Sequence, residues 1–158
     1  ALADIIAPAI ILGQALGRMA NLLNGDAFGA PTGGAFGIIY PATTLAYHTY
    51  GNQPLWPAEI WEGQLDVVIF ALLLIFRTSR HAKGQAFLLY VMLYSAARFF
   101  LEYLRGDYTD LIWGIFKSAQ MTSLFAFTIS LIVFVYLSWQ QAHSQVCSDK
   151  QPGKKNKK

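Results

Sequence analysis

Hydrophobic and polar positions divide this chain into long apolar runs separated by short polar ones. The apolar runs are about 4–23, 57–76, 84–104 and 119–139. As a helix, each is about long enough to cross a hydrocarbon core of roughly 30 Å. The first is the weakest, because Pro8 and Gly13 interrupt it and strongly apolar residues are sparse there. The pattern predicts an all-α, polytopic transmembrane bundle of about four helices over 1–140, with one long connection at 24–56 and a tail at 141–158. No internal repeat and no soluble second domain can be read.

Composition agrees with that class: 54% of residues are hydrophobic, 15% aromatic and 13% charged, with a mean hydropathy of +0.36. These values exclude an ordinary soluble domain. The chain opens on Ala1, and Asp4 is too near the start for a signal peptide with a basic first region, so an earlier part is expected to be missing.

Charge then orients the bundle. Arg77, Arg80 and Lys83 fall between the second and third runs, while Lys150, Lys154, Lys155, Lys157 and Lys158 fall in the tail. Cytoplasmic connections carry the excess of lysine and arginine, so both regions are expected to face the cytoplasm. By alternation, the connections at 21–56 and 105–118 open on the outer side. The lysine-rich end reads as an anchor near anionic lipid rather than as a nucleic-acid arm.

Cys147 is the single cysteine, so no intrachain disulfide can form, and in the tail its thiol is expected to stay reduced. His48 and His81 are expected in loops and His143 in the tail, with no spacing that would make a zinc site. Neither a metal nor a cofactor is indicated.

Three polar constellations interrupt the apolar background. The first run ends in Arg18, Asn21, Asn24 and Asp26, with Gly25 and Gly29 among them. Such groups are costly beside lipid unless a headgroup or protein partner satisfies them. The bland explanation is a snorkelling arginine and asparagines that cap a helix end; a phospholipid site is the alternative. The second run carries Glu59, Glu62 and Asp66 at i, i+3 and i+7, one helical face that must look into protein or an aqueous cavity, pair with cations or take up a proton. The third carries Arg98, Glu102 and Arg105 at i, i+4 and i+7, either an internal ion pair that locks helices or part of a site. Three guanidiniums would suit a lipid phosphate, and the asparagines its glycerol hydroxyls or ester carbonyls.

The order of residues from Gly17 to Gly29, Gly-Arg-x-x-Asn-x-x-Asn-Gly-Asp-x-x-Gly, resembles the signature of the bacterial prolipoprotein diacylglyceryl transferases. That family has glutamate where Asp26 stands and usually arginine where Ala30 precedes Pro31-Thr32. The stretch from Trp56 to Glu62 resembles the family's His-Pro-(Ser or Thr)-Gln-Leu-Tyr-Glu, with Trp56 in place of the histidine and Glu59 in place of the glutamine. Arg98, Phe99, Glu102 and Arg105 match its Arg-Phe-x-x-Glu-x-x-Arg, with Asp107 close behind. The segment 36–41, Phe-Gly-Ile-Ile-Tyr-Pro, fits the family's loop as well.

The resemblance is to the C-terminal portion of that family. It implies transfer of the diacylglyceryl group of phosphatidylglycerol to the lipobox cysteine thiol of a prolipoprotein at the bacterial inner membrane, with release of glycerol phosphate. It also implies catalytic roles for Asn21, Asp26, Glu62 and Glu102, and substrate-binding roles for Arg18, Asn24, Gly29, Arg98 and Arg105. Phosphatidylglycerol, the signal-peptide region of a prolipoprotein and membrane lipids are then the partners. A degenerate, lipid-binding relative is the second reading, and a small transporter or channel subunit the third.

Overall fold

The computed structural model describes residues 2–79, 81–106, 111–112 and 116–149. Five helices appear in it: α1 (Leu2–Asn24), α2 (Leu45–Tyr50), α3 (Ala58–Thr78), α4 (Gln85–Leu101) and α5 (Ser118–Asp149). A 3-10 turn at Glu102–Leu104 extends α4, and two-residue strands β1 (Leu111–Ile112) and β2 (Phe116–Lys117) form an antiparallel pair before α5. The architecture is a helical membrane bundle. Arg80, Asp107 and the lysine-rich end at 150–158 lie outside the described residues.

α5 is more polar on its buried side than on its exposed one. It buries Gln120, Ser123 and Ser130 while exposing Phe125, Ile132, Val135 and Trp139. That inversion suits a lipid solvent, where small residues let helices approach and apolar side chains face outward. α1 packs chiefly on α3 and α4 chiefly on α5, with α3 against α4 joining the two pairs. Where α1, α3 and α4 meet, Ala7, Ile11, Ile69, Leu73 and Tyr90 form the apolar core. α1, α5, and α4 with its 3-10 turn are each long and apolar enough to cross a membrane. α3 is of similar length, but its buried face carries Glu59, Glu62 and Asp66.

One end of the bundle is pinned by side chains that satisfy the start of α4. The Asp4 carboxylate accepts the N–H of Gly84 at 2.7 Å and of Phe87 at 3.1 Å. Gln85 accepts the N–H of Ala82 at 2.6 Å and donates to the Ser138 hydroxyl of α5 at 2.8 Å. Orphan donors at the start of α4 are thus met from α1, while the Gln85 side chain ties that start to α5.

The opposite end carries the long connection, which has its own small core of Phe28, Tyr40, Ala46 and Leu55. The short helix α2 lies in it and places His48 on a helix rather than in a loop. α1 stops where Gly25 takes a φ of +69°, with its N–H returning to the Asn21 carbonyl at 2.9 Å. The segment that follows runs between two others. Ala30 donates to the Leu104 carbonyl at 2.8 Å and Gly106 to the Phe28 carbonyl at 3.2 Å on one side, and Trp56 to the Ala30 carbonyl at 2.9 Å on the other. Gly29 sits at that crossing, and a Cβ there would fall 2.2 Å from the Trp56 carbonyl oxygen. This stitching ties the end of α1, the entry to α3 and the exit of α4 into one unit.

Candidate functional site

Glu62 occupies the centre of the stitched end. Its side chain is 3% exposed and meets three guanidiniums: Arg18 of α1 at 2.7 Å, Arg105 beyond the 3-10 turn at 3.4 Å, and Arg98 of α4 at 3.6 Å. Glu102 is fully buried and pairs with Arg98 at 3.0 Å, with the Lys117 ammonium 3.9 Å away. That ammonium also donates to the Glu102 carbonyl at 2.9 Å and to the Arg105 carbonyl at 2.7 Å, closing the cluster from β2. Charges so far from water persist only with partners of this kind.

Arg18 links the cluster to the end of α1. With its amide oriented by the network, Asn21 accepts from Arg18 Nη1 at 3.2 Å and donates to Asp26 Oδ1 and the Gly17 carbonyl, each at 3.3 Å. Asp26 is half-buried. The expected residues Arg18, Asn21, Asp26, Glu62, Arg98, Glu102 and Arg105 are therefore gathered in one place. Asn24 is not: the last residue of α1, it is exposed and makes no described contact with the cluster. Gly29 is buried, and its observed part is the close backbone crossing with Trp56.

Two acidic residues of α3 flank Glu62. Glu59 accepts a hydrogen bond from the Tyr40 hydroxyl, which reaches it from the connection. Burial, with the Glu59 carboxylate beside it, pushes the Tyr40 hydroxyl above the ordinary phenol range. Asp66, one turn deeper, is 1% exposed, and neither carboxylate oxygen has a hydrogen-bond partner among the described residues.

Lys117 and Tyr40 are the members that the sequence reading missed. Lys117 had a signal, since a lysine in the connection opposite the basic one departs from the charge bias and needs a partner. Tyr40 lay within the segment 36–41 that fits the family's loop, but only the folded connection brings it to Glu59.

One cleft reaches the cluster, and a second lies beside it. The first, of about 330 Å³ between α4 and α5, is lined by Tyr90, Tyr94, Ser95, Arg98, Thr122 and Ser123 among others. The other, of about 510 Å³ between α1 and α3, is apolar and includes Leu12, Leu16, Met19, Ile60 and Val67. Charged groups thus lie between openings that flank helices with lipid-facing surfaces, an arrangement suited to a molecule with an anionic head and apolar tails.

Fold and site together define an integral membrane protein with a buried arginine–carboxylate centre at one end of a helical bundle. The chain belongs to the prolipoprotein diacylglyceryl transferase family, whose model matches residues 1–136. It is 36% identical over 137 residues to the phosphatidylglycerol–prolipoprotein diacylglyceryl transferase of Listeria monocytogenes serotype 4a, covering 85% of this chain and 49% of that protein. The Listeria welshimeri protein of the same name is 37% identical with the same coverage. A Clostridium perfringens relative is 33% identical over 133 residues, covering 84% of this chain and 50% of that protein. The chain spans about half the length of the curated relatives it matches.

Proposed function

We propose that this chain supplies the phosphate-binding half of an enzyme that moves the diacylglyceryl group of phosphatidylglycerol to the lipobox cysteine thiol of a prolipoprotein. The observation that carries the reading is the sharing of Glu62 among Arg18, Arg98 and Arg105, which come from separate elements. A carboxylate held this way fixes three forked donors around one point, and forked donors suit phosphate oxygens. The names of the relatives supply the substrates.

In this reading the thiol sulfur attacks the glycerol carbon that bears the phosphate ester. A carbon–sulfur bond forms, the carbon–oxygen bond breaks, and glycerol phosphate leaves with the bonding electron pair. Arginines stabilise the charge as it builds on the phosphate. The thiol proton passes to Asp26, whose described partner is the Asn21 amide rather than a cation, and Asn21 orients it. Glu62 and Glu102 hold the arginines in position, because their lone pairs are already shared with guanidiniums. Asn24, exposed at the rim, meets the glycerol headgroup, and Gly29 lets the backbone come close beside it.

The same reading sets the bundle in the bacterial inner membrane with α3 as a fourth span. The arginine cluster opens outward, residues 141–158 form the cytoplasmic tail, and lipids surround the bundle. It is tested with the full-length protein that carries this chain, by following label from phosphatidylglycerol into a lipobox substrate. Transfer that falls with Asp26→Asn while phosphatidylglycerol affinity holds is the expected result. No transfer from the unmutated protein, with lipid binding intact, would make the chain a lipid-binding relative instead.

A further inference from the structure

We propose that the connection between α1 and α3 lies on the lipid surface, with Phe36, Trp56 and Trp61 as an aromatic anchor in the headgroup layer. This rests on the membrane bundle alone and is independent of the transferase reading.

Three observations converge on it. From Ala27 to Ala58 the chain contains no aspartate, glutamate, lysine or arginine, which is unusual for a connection surrounded by water. The connection buries its own small core, yet leaves Phe36 60%, Ile39 54% and Leu45 59% exposed. These large side chains are surplus to that core, so another apolar or amphipathic surface must receive them.

The third observation gives the direction. Phe36 and Trp56 have ring centroids 5.7 Å apart, and Trp56 and Trp61 are also 5.7 Å apart. Trp61 heads the row Leu65, Val68, Leu72 and Ile75 on α3, spaced at helical intervals and exposed along its length. On a helix of a membrane bundle, lipid suits such a row. The aromatic ladder therefore continues the lipid-facing side of α3 beyond the helix start, whereas Glu62, the next residue, turns inward to the arginines. Tryptophan at the level of lipid headgroups keeps an apolar body in the acyl region and its N–H in the wet layer. Charge-free composition fits the same place, and several peptide groups of the connection, among them those of Thr32, Ile38, Leu55 and Trp56, are already paired within it.

The test uses the full-length protein that carries this chain, with Trp56 as its sole tryptophan, in vesicles of phosphatidylcholine and phosphatidylglycerol. Acyl chains brominated near the headgroup end or near the methyl end report depth, and aqueous iodide reports exposure to water. The expected result is blue-shifted Trp56 emission, quenched roughly twofold more by the shallow bromines than by the deep ones and only weakly by iodide. Phe36→Asp or Ile39→Asp should raise iodide quenching while circular dichroism stays unchanged. Strong iodide quenching without bromine quenching when Phe36 and Ile39 are intact would overturn the proposal. Protection from both quenchers would overturn it too, since it would mean that protein covers this surface; protection that depends on protein density would mean a second copy.

Discussion

Arg18 of α1 and Glu62 of α3 stand 2.7 Å apart, beside Gly63, where an added Cβ would come within 3.4 Å of the Arg18 Cβ. The ion pair needs these two helices close together, and Gly63, next to Glu62, faces Arg18 across their crossing. Helix packing and electrostatics are thus set by neighbouring residues of α3.

Replacement of Arg18 by lysine keeps the charge but loses the fork that serves both Glu62 and Asn21. Transfer of labelled lipid to a lipobox substrate by the full-length protein is expected to fall about 100-fold or more in Arg18→Lys, nearly as far as in Arg18→Ala. Full activity of the lysine variant would rule out two-point holding by this residue.

Asp66 behaves as an unrewarded polar group. Both oxygens are buried without a hydrogen bond among the described residues, a situation that costs roughly 1–3 kcal/mol. Asp66→Leu should therefore leave Tm in detergent unchanged or raise it. A drop equivalent to about 3–5 kcal/mol, the cost of breaking a buried ion pair, would reveal a partner for this carboxylate.

Asp4 acts at the other end of the bundle. Asp4→Ala removes the acceptor for two amides at the start of α4, at a cost of about 1 kcal/mol. Thermal melting should show a small loss, and hydrogen exchange at Gly84 and Phe87 should quicken. Asp4→Asn, which can still accept, should lose less.

Tyr40 predicts an alkaline limit. Burial, then the Glu59 hydrogen bond and its charge, favour the neutral phenol in the folded state. Native protein therefore binds a proton that unfolded protein releases near pH 10, about the ordinary tyrosine value. The resulting stabilisation is fully present below that pH and declines as pH rises above it. Tyr40→Phe should flatten the loss of stability above about pH 10 in alkaline melts, and the Tyr40 phenolate absorbance should be missing from that titration.

The long helices were legible because lipid imposes a length on them, and the three polar constellations because charges in such segments are too costly to be incidental. Other features depended on the folded connection. The segment at 33–44 has no helical or strand period, so neither its small core nor Tyr40 reaching Glu59 could be read in advance. Equal helical spacing brought Arg98, Glu102 and Arg105 together on paper, but α4 ends at Leu101 and Arg105 lies in extended backbone paired with Gly29. The three still converge, because a 3-10 turn and a strand-like bridge take the place of the last helical turn. Trp56 invited a chemical reading through the histidine it replaces; its indole instead lies between Phe36 and Trp61, tilted against both rings.

Sharing one carboxylate among three arginines also binds their mutational histories together. Once Arg18, Arg98 or Arg105 is lost, Glu62 draws more closely on the remaining two, so substitutions at these positions should be epistatic rather than additive. Loss of Glu62 itself leaves the guanidiniums repelling one another, and a second change that removes one arginine would then relieve part of the damage. A lineage that abandons any member of the set meets altered selection on all the others.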